Sequence, residues 1–133
     1  LRVTGVIILT LSLILFWLVH KTLGVNWSPA LEIRTKHTLV KSGIYKCIRH
    51  PMYTQIWLWV IAQTLVVSNY IAGFSGILVW SLVYFLRVKS EEEMMVKKLG
   101  AKYTEYMKFT GAVLPKFSCL FRTLNKRAVN YEE

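Results

Sequence analysis

No stretch of the 133 residues reads as a P-loop, a GxGxxG turn, an HExxH helix or a GxSxG elbow. That argues against the soluble nucleotide-binding folds that such motifs mark. Histidine and cysteine do not recur at metal-ligand spacing, so no metal is expected. The two cysteines, Cys47 and Cys119, are far apart and lie in basic segments. They fit neither a disulfide framework nor a CxxC pair, and the expectation is two reduced thiols on the cytosolic side. No internal repeat or low-complexity tract is present. Acidic residues are few: seven Asp plus Glu against 17 Lys plus Arg, a formal charge of +10. A basic balance can signal nucleic acid. Here the basic residues flank apolar runs, as the positive-inside bias requires, and they favour an anionic leaflet. Membrane lipids are the expected partner, and nucleic acid is not.

What is abundant is apolar. Hydrophobic residues make up 54% of the chain, and the mean hydropathy of +0.40 points to membrane spans. The expectation is an all-α integral membrane bundle: one unit over residues 1–117, then a C-terminal tail over 118–133. A first span is expected at about 3–21, closed by the polar His20 and Lys21. Gly24 to Pro29 reads as a turn, with Trp27 suited to the interface. Spans at about 52–67 and 71–87 read as a helical hairpin, and Pro51 fits the first turn of the earlier one. An amphipathic interfacial helix is expected over about 90–109, weakened at Gly100. The chain begins at Leu1 rather than Met, so further residues are expected upstream.

Charge sets the expected topology. The connector from Gly24 to Met52 and the tail from Arg87 both carry an excess of Lys and Arg, while the hairpin turn carries no charge. Both polar clusters then face the cytoplasm, and the first helix starts outside. A cofactor pocket at the cytosolic face follows from their meeting there.

The chemistry-bearing residues fall in two clusters, Lys36 to Tyr53 and Arg87 to Glu93. Pro51 keeps His50 out of the helical region, and the unpaired N–H groups of the helix that follows favour an anionic group. Gly43 permits a tight turn, so that His37, Tyr45, His50 and Tyr53 can line a pocket for a polar, aromatic cofactor. The plainer alternative is that these side chains only anchor a helix at the interface. Arg87 and Glu91, at i and i+4, share a helix face. They are either an ordinary surface pair or a functional one, in which Arg87 holds a carboxylate bidentately and Glu91 accepts from an ammonium or ribose group. Glu92 and Glu93 are expected to be solvated.

The ordered set H-x-L-V (from His37), G-x-Y (Gly43 to Tyr45), R-H-P-x-Y (Arg49 to Tyr53), R-x-x-x-E-E (Arg87 to Glu92) and G-x-x-Y-x-x-Y (Gly100 to Tyr106) resembles the isoprenylcysteine carboxyl methyltransferase family, with a similar pattern in related phospholipid methyltransferases. The likeness runs from about Leu23 to Pro115. It implies an integral membrane enzyme that uses S-adenosyl-L-methionine to methylate a lipid-linked or small hydrophobic substrate. The membrane implied is the plasma or inner membrane, or the endoplasmic reticulum in a eukaryote. It also implies that His37, Thr38, Leu39, Val40, Tyr45, His50, Pro51, Met52, Tyr53 and Glu91 contact the cofactor. Arg87 is placed by the substrate carboxylate, Arg49 belongs to the motif, and Arg87, Glu91 and Arg49 are the expected catalytic residues. Gln55 stands where the family usually has Gly, and members usually have at least one more span. Three other readings stay open: a phospholipid or amine N-methyltransferase, a sterol-type NADPH reductase, which also carries R-H-P-x-Y, and a non-catalytic membrane scaffold.

Overall fold

The computed structural model describes residues 1–24, 39–67 and 69–119. The expected contacts at His37 and Thr38 lie outside these residues. Four helices follow in order: α1 (Arg2–Leu23), α2 (Pro51–Val67), α3 (Tyr70–Leu99) and α4 (Ala101–Phe109). A 3-10 turn, Gly43–Lys46, precedes α2. Gly43 enters that turn at φ 56°, and a Cβ there would press on Thr22 Oγ1 at 3.1 Å. Among the described residues the only β pairing is one isolated parallel bridge, Ile48 to Gly111. The expected all-α class is what the chain adopts.

α1 and α3 are long and apolar enough to cross a membrane. The 22 residues of α1 span about 33 Å, enough for a hydrocarbon core of about 30 Å. The buried positions of α1 are Gly5, Ser12 and Val19, seven residues apart. This is a heptad seam, and α2 lies along it. At Gly5 the helices touch: an added Cβ would stand 2.8 Å from Val66 Cγ2 and 2.9 Å from Leu65 Cβ. At Ser12 the hydroxyl donates to the Gln55 carbonyl at 3.0 Å, and Gln55 Nε2 donates back to Ser12 Oγ at 3.0 Å. Gln55 therefore fills its place with a satisfied pair to α1, which matters where lipid offers no partner. The other faces of α1 and α3 expose Leu, Ile, Val, Phe and Trp side chains. Such a surface suits lipid and not water.

The side chain of Asn69 caps α3, accepting from Ala72 N at 3.2 Å. The helix then runs 30 residues without interruption. The third span and the start of the expected interfacial helix are thus one rod. Its apolar part ends at Leu86, and its polar part continues to Leu99. No Gly or Pro lies between Leu86 and Leu99, so nothing breaks it. The break comes at Gly100, whose φ of 55° lets the chain turn into α4. Beyond α4, residues 110–114 return alongside residues 47–50. Arg49 N donates to Gly111 O at 2.8 Å, His50 N to Ala112 O at 2.9 Å, and Gly111 N to Cys47 O at 3.0 Å.

One expectation is overturned here. Cys47 and Cys119 are not free thiols; they form a disulfide, with Cα atoms 5.6 Å apart. Their separation of 72 residues in sequence hides the contact. The turn at Gly100 and the returning strap bring them together.

Candidate active site

His50 supplies the carbonyl that accepts the first bonds of α2, from Tyr53 N at 3.0 Å and Thr54 N at 3.3 Å. Pro51, fully buried, needs no partner for a missing N–H there. This local geometry puts the His50 and Tyr53 rings on the same side, their centroids 5.5 Å apart and nearly parallel. Opposite them, α3 has just left its apolar stretch. Arg87 and Glu91 share one face, with Arg87 Nε 3.5 Å from Glu91 Oε1. Tyr53 OH donates to the same Glu91 oxygen at 2.5 Å. Glu92, one residue further round the helix, accepts from Arg49 Nε at 2.9 Å and lies 3.2 Å from His50 Nε2. The other ring nitrogen of His50 stands 3.7 Å from Glu91 Oε2. The imidazole therefore sits between two carboxylates.

The two clusters expected from sequence do meet. His50, Tyr53, Arg87, Glu91 and Arg49 lie in one network across α2 and α3. Arg49 has a defined place in it. Its guanidinium also donates to the carbonyl of Met107, at 3.3 Å, and to that of Thr110. Arg49 is thus a strut that ties α3 to the end of α4, and no reacting group needs to touch it. Tyr45 is buried, and its backbone carbonyl accepts from Tyr106 OH at 2.5 Å. Leu39, Val40 and Met52 are half-buried.

Glu92 departs from the expectation of a solvated carboxylate, because Arg49 and His50 claim it from the far side. Glu93 is exposed, as expected. The hydrogen bond from His50, and then the Arg49 guanidinium, hold Glu92 below the ordinary carboxylate value against the opposing effect of burial. Burial, with Glu92 adding, pushes Tyr103 on α4 up to about 12. In the sequence Glu92 stands out only as the last residue of R-x-x-x-E-E, beside Glu91; two acids one step apart on a helix point to either side of a ring set against it. The floor beneath the site is aromatic. Tyr53 meets Tyr84 edge-on at 5.8 Å and Trp80 at 5.7 Å, and Trp57 packs on both.

Comparison with known proteins supplies a family for this arrangement. The family model for the isoprenylcysteine carboxyl methyltransferase (ICMT) family matches residues 4–97. The human protein-S-isoprenylcysteine O-methyltransferase is 33% identical over 120 residues, covering 86% of this chain and 41% of its own length. Proteins of the same name from Dictyostelium discoideum and Saccharomyces cerevisiae are 32% and 29% identical, each over 71% of this chain and 40% of their own length. The chain thus spans about two fifths of the length of these relatives. Nothing in these matches favours the reductase or scaffold readings. With the motif residues gathered at one end of the spans and the match covering most of the described helices, the chain belongs to the isoprenylcysteine carboxyl methyltransferase family.

Proposed function

We propose that this chain carries the active site of an S-adenosyl-L-methionine-dependent carboxyl O-methyltransferase, acting on a prenylcysteine-like or other hydrophobic substrate at the membrane face. The observation that carries the reading is the convergence of His50, Tyr53, Arg87 and Glu91 where α3 passes from apolar to polar. The excess of Lys and Arg on this side supports a site that faces the cytoplasm in a multi-pass protein.

The residues present fit the cofactor. Among the described residues the His50 ring, 3.7 Å away, is the neighbour of Glu91 Oε2, which leaves this oxygen room for a donor such as an ammonium or a ribose hydroxyl. The His50 and Tyr53 rings offer faces and polar edges beside it. S-adenosylmethionine, when bound, would supply a methyl group on a positively charged sulfur, which an ionised carboxylate takes by attack at the methyl carbon as the neutral thioether, S-adenosylhomocysteine, leaves. A carboxylate is already ionised near neutral pH, so no general base is required of the protein. What the protein supplies is position and dryness. Arg87, 44% exposed, can pair with an incoming carboxylate bidentately and turn it toward the reacting carbon. Glu91 and Tyr53 hold Arg87 in place from behind. The adjoining lipid and the aromatic floor strip water from the nucleophile.

The test is calorimetric binding of S-adenosylmethionine and its demethylated product, with methyl transfer to an N-acylated S-prenylcysteine as the second readout. Arg87→Ala is expected to bind cofactor as the parent does and to lose transfer by at least about 100-fold. His50→Ala is expected to lose cofactor binding. Loss of both activities in Arg87→Ala would remove its assignment to the acceptor carboxylate. A folded parent that binds neither compound would remove the whole reading.

A further inference from the structure

We infer that Glu92 is a positioning residue that fixes which nitrogen of His50 carries the proton, leaving the other nitrogen as an acceptor toward Glu91. The geometry is asymmetric. Nε2 lies within hydrogen-bond reach of Glu92 Oε1 at 3.2 Å, whereas Nδ1 is 3.7 Å from Glu91 Oε2, beyond it. An ionised carboxylate only accepts. Glu92 is held in that form by Arg49, whose Nε donates to the same oxygen at 2.9 Å. The shared proton must therefore come from His50 Nε2, and in a neutral imidazole Nδ1 is then a bare acceptor. Glu91 cannot compete for the ring proton on equal terms, because its Oε2 stands 3.7 Å from Nδ1, beyond hydrogen-bond reach.

The groups facing the ring are thus Glu92 and Arg49 on one edge, Glu91 with Arg87 on the other, and Tyr53 on its face. Arg49 is itself anchored to the carbonyls of Met107 and Thr110, so Glu92 cannot swing away without breaking the strut. The consequence for ligand binding rests on the function proposed above. Bare Nδ1 and Glu91 Oε2 form a two-acceptor notch that takes a hydrogen-bond donor of the cofactor. Protonated at Nδ1 instead, the ring would donate into Glu91 and close that notch.

The experiment is nitrogen-15 NMR of histidine-labelled protein in micelles, without cofactor, in mildly alkaline buffer where an imidazole carries one ring proton. The chain has three histidines, and His50→Gln identifies the signal. The parent is expected to show the proton on Nε2 and a bare Nδ1. Glu92→Ala is expected to move the proton to Nδ1 and to weaken binding of S-adenosylhomocysteine about tenfold, the cost of one well-aligned hydrogen bond. Glu92→Gln keeps an acceptor oxygen and is expected to restore the Nε2 proton and most of the affinity, which a merely structural loss would not do. A parent with its proton on Nδ1 overturns the inference whether or not either variant folds. A folded Glu92→Ala protein with unchanged tautomer also overturns it. A parent that shows the Nε2 proton yet binds no cofactor overturns the proposed function and leaves the inference standing.

Discussion

Glu92 ties acid stability to a single side chain. Its folded pKa lies below the ordinary carboxylate value near 4.5, chiefly because His50 and then Arg49 hydrogen-bond to the ionised form. A carboxylate depressed in this way adds stability that is fully present above the unfolded value. That stability is lost as pH falls through the folded value. The thermal midpoint of the parent in detergent is therefore expected to drop on acidification below about pH 4.5. Glu92→Gln should start lower at neutral pH and fall less over the same interval. Parallel acid profiles for the two proteins would show that Glu92 gains nothing from its partners. Which acid does what could not be read from sequence. Arg87 and Glu91 announce themselves by their i, i+4 spacing, a local relation within one helix. The partners of Glu92 come from residues more than 40 positions away, 43 for Arg49 and 42 for His50, and only the fold pairs them.

Helices α1 and α2 show what one residue type does for a whole element. The apolar runs that mark both are plain in the sequence, but the seam between them is not, because α1 is apolar on every face. Gly5, Ser12 and Val19 are the small or branched residues that admit close contact, and at Gly5 an added Cβ would come within 3 Å of α2. Gly5→Ala is a test with opposing terms. Helix propensity favours Ala by about 1 kcal/mol. Against that, the new Cβ would meet Leu65 Cβ at 2.9 Å and Val66 N at 3.1 Å, atoms fixed to the α2 backbone. Overpacking of this kind costs about 1–3 kcal/mol, so the clash is expected to win and the thermal midpoint to fall. A rise would mean that α1 shifts freely along α2. The continuous α3 teaches a related lesson. A change from apolar to charged residues reads as an element boundary, yet polarity alone does not break a helix; the glycine thirteen residues after Arg87 does.

At the scale of the molecule, the membrane helices and the site are held in register by the returning strap over residues 110–119. Three backbone hydrogen bonds, the Arg49 strut and the bond from Thr54 Oγ1 to Val113 O at 2.6 Å all fasten it beside the entrance to α2. The Cys47–Cys119 disulfide closes this arrangement. Sequence could not reveal it, since two distant cysteines in basic segments look like thiols of a reducing compartment. Cross-linking a separation of 72 residues restricts the unfolded chain, and the usual size of that effect is about 2–4 kcal/mol. Reductant is therefore expected to lower the unfolding midpoint of the detergent-solubilised protein. Cys47→Ser should lower it as much and abolish the response to reductant. The strap's backbone bonds and the Arg49 strut involve neither sulfur, so cofactor binding below the midpoint is expected to change far less than stability does. On the proposed topology the cross-link faces the cytoplasm, where glutathione keeps most thiols reduced. Alkylation of intact cells before lysis, followed by mass spectrometry of the Cys47 and Cys119 peptides, reads which form the cell contains. Alkylated thiols would mean that the strap is held without the clasp, on the strut and backbone pairs alone. A protected pair would place this face of the protein in an oxidising compartment and reverse the proposed topology.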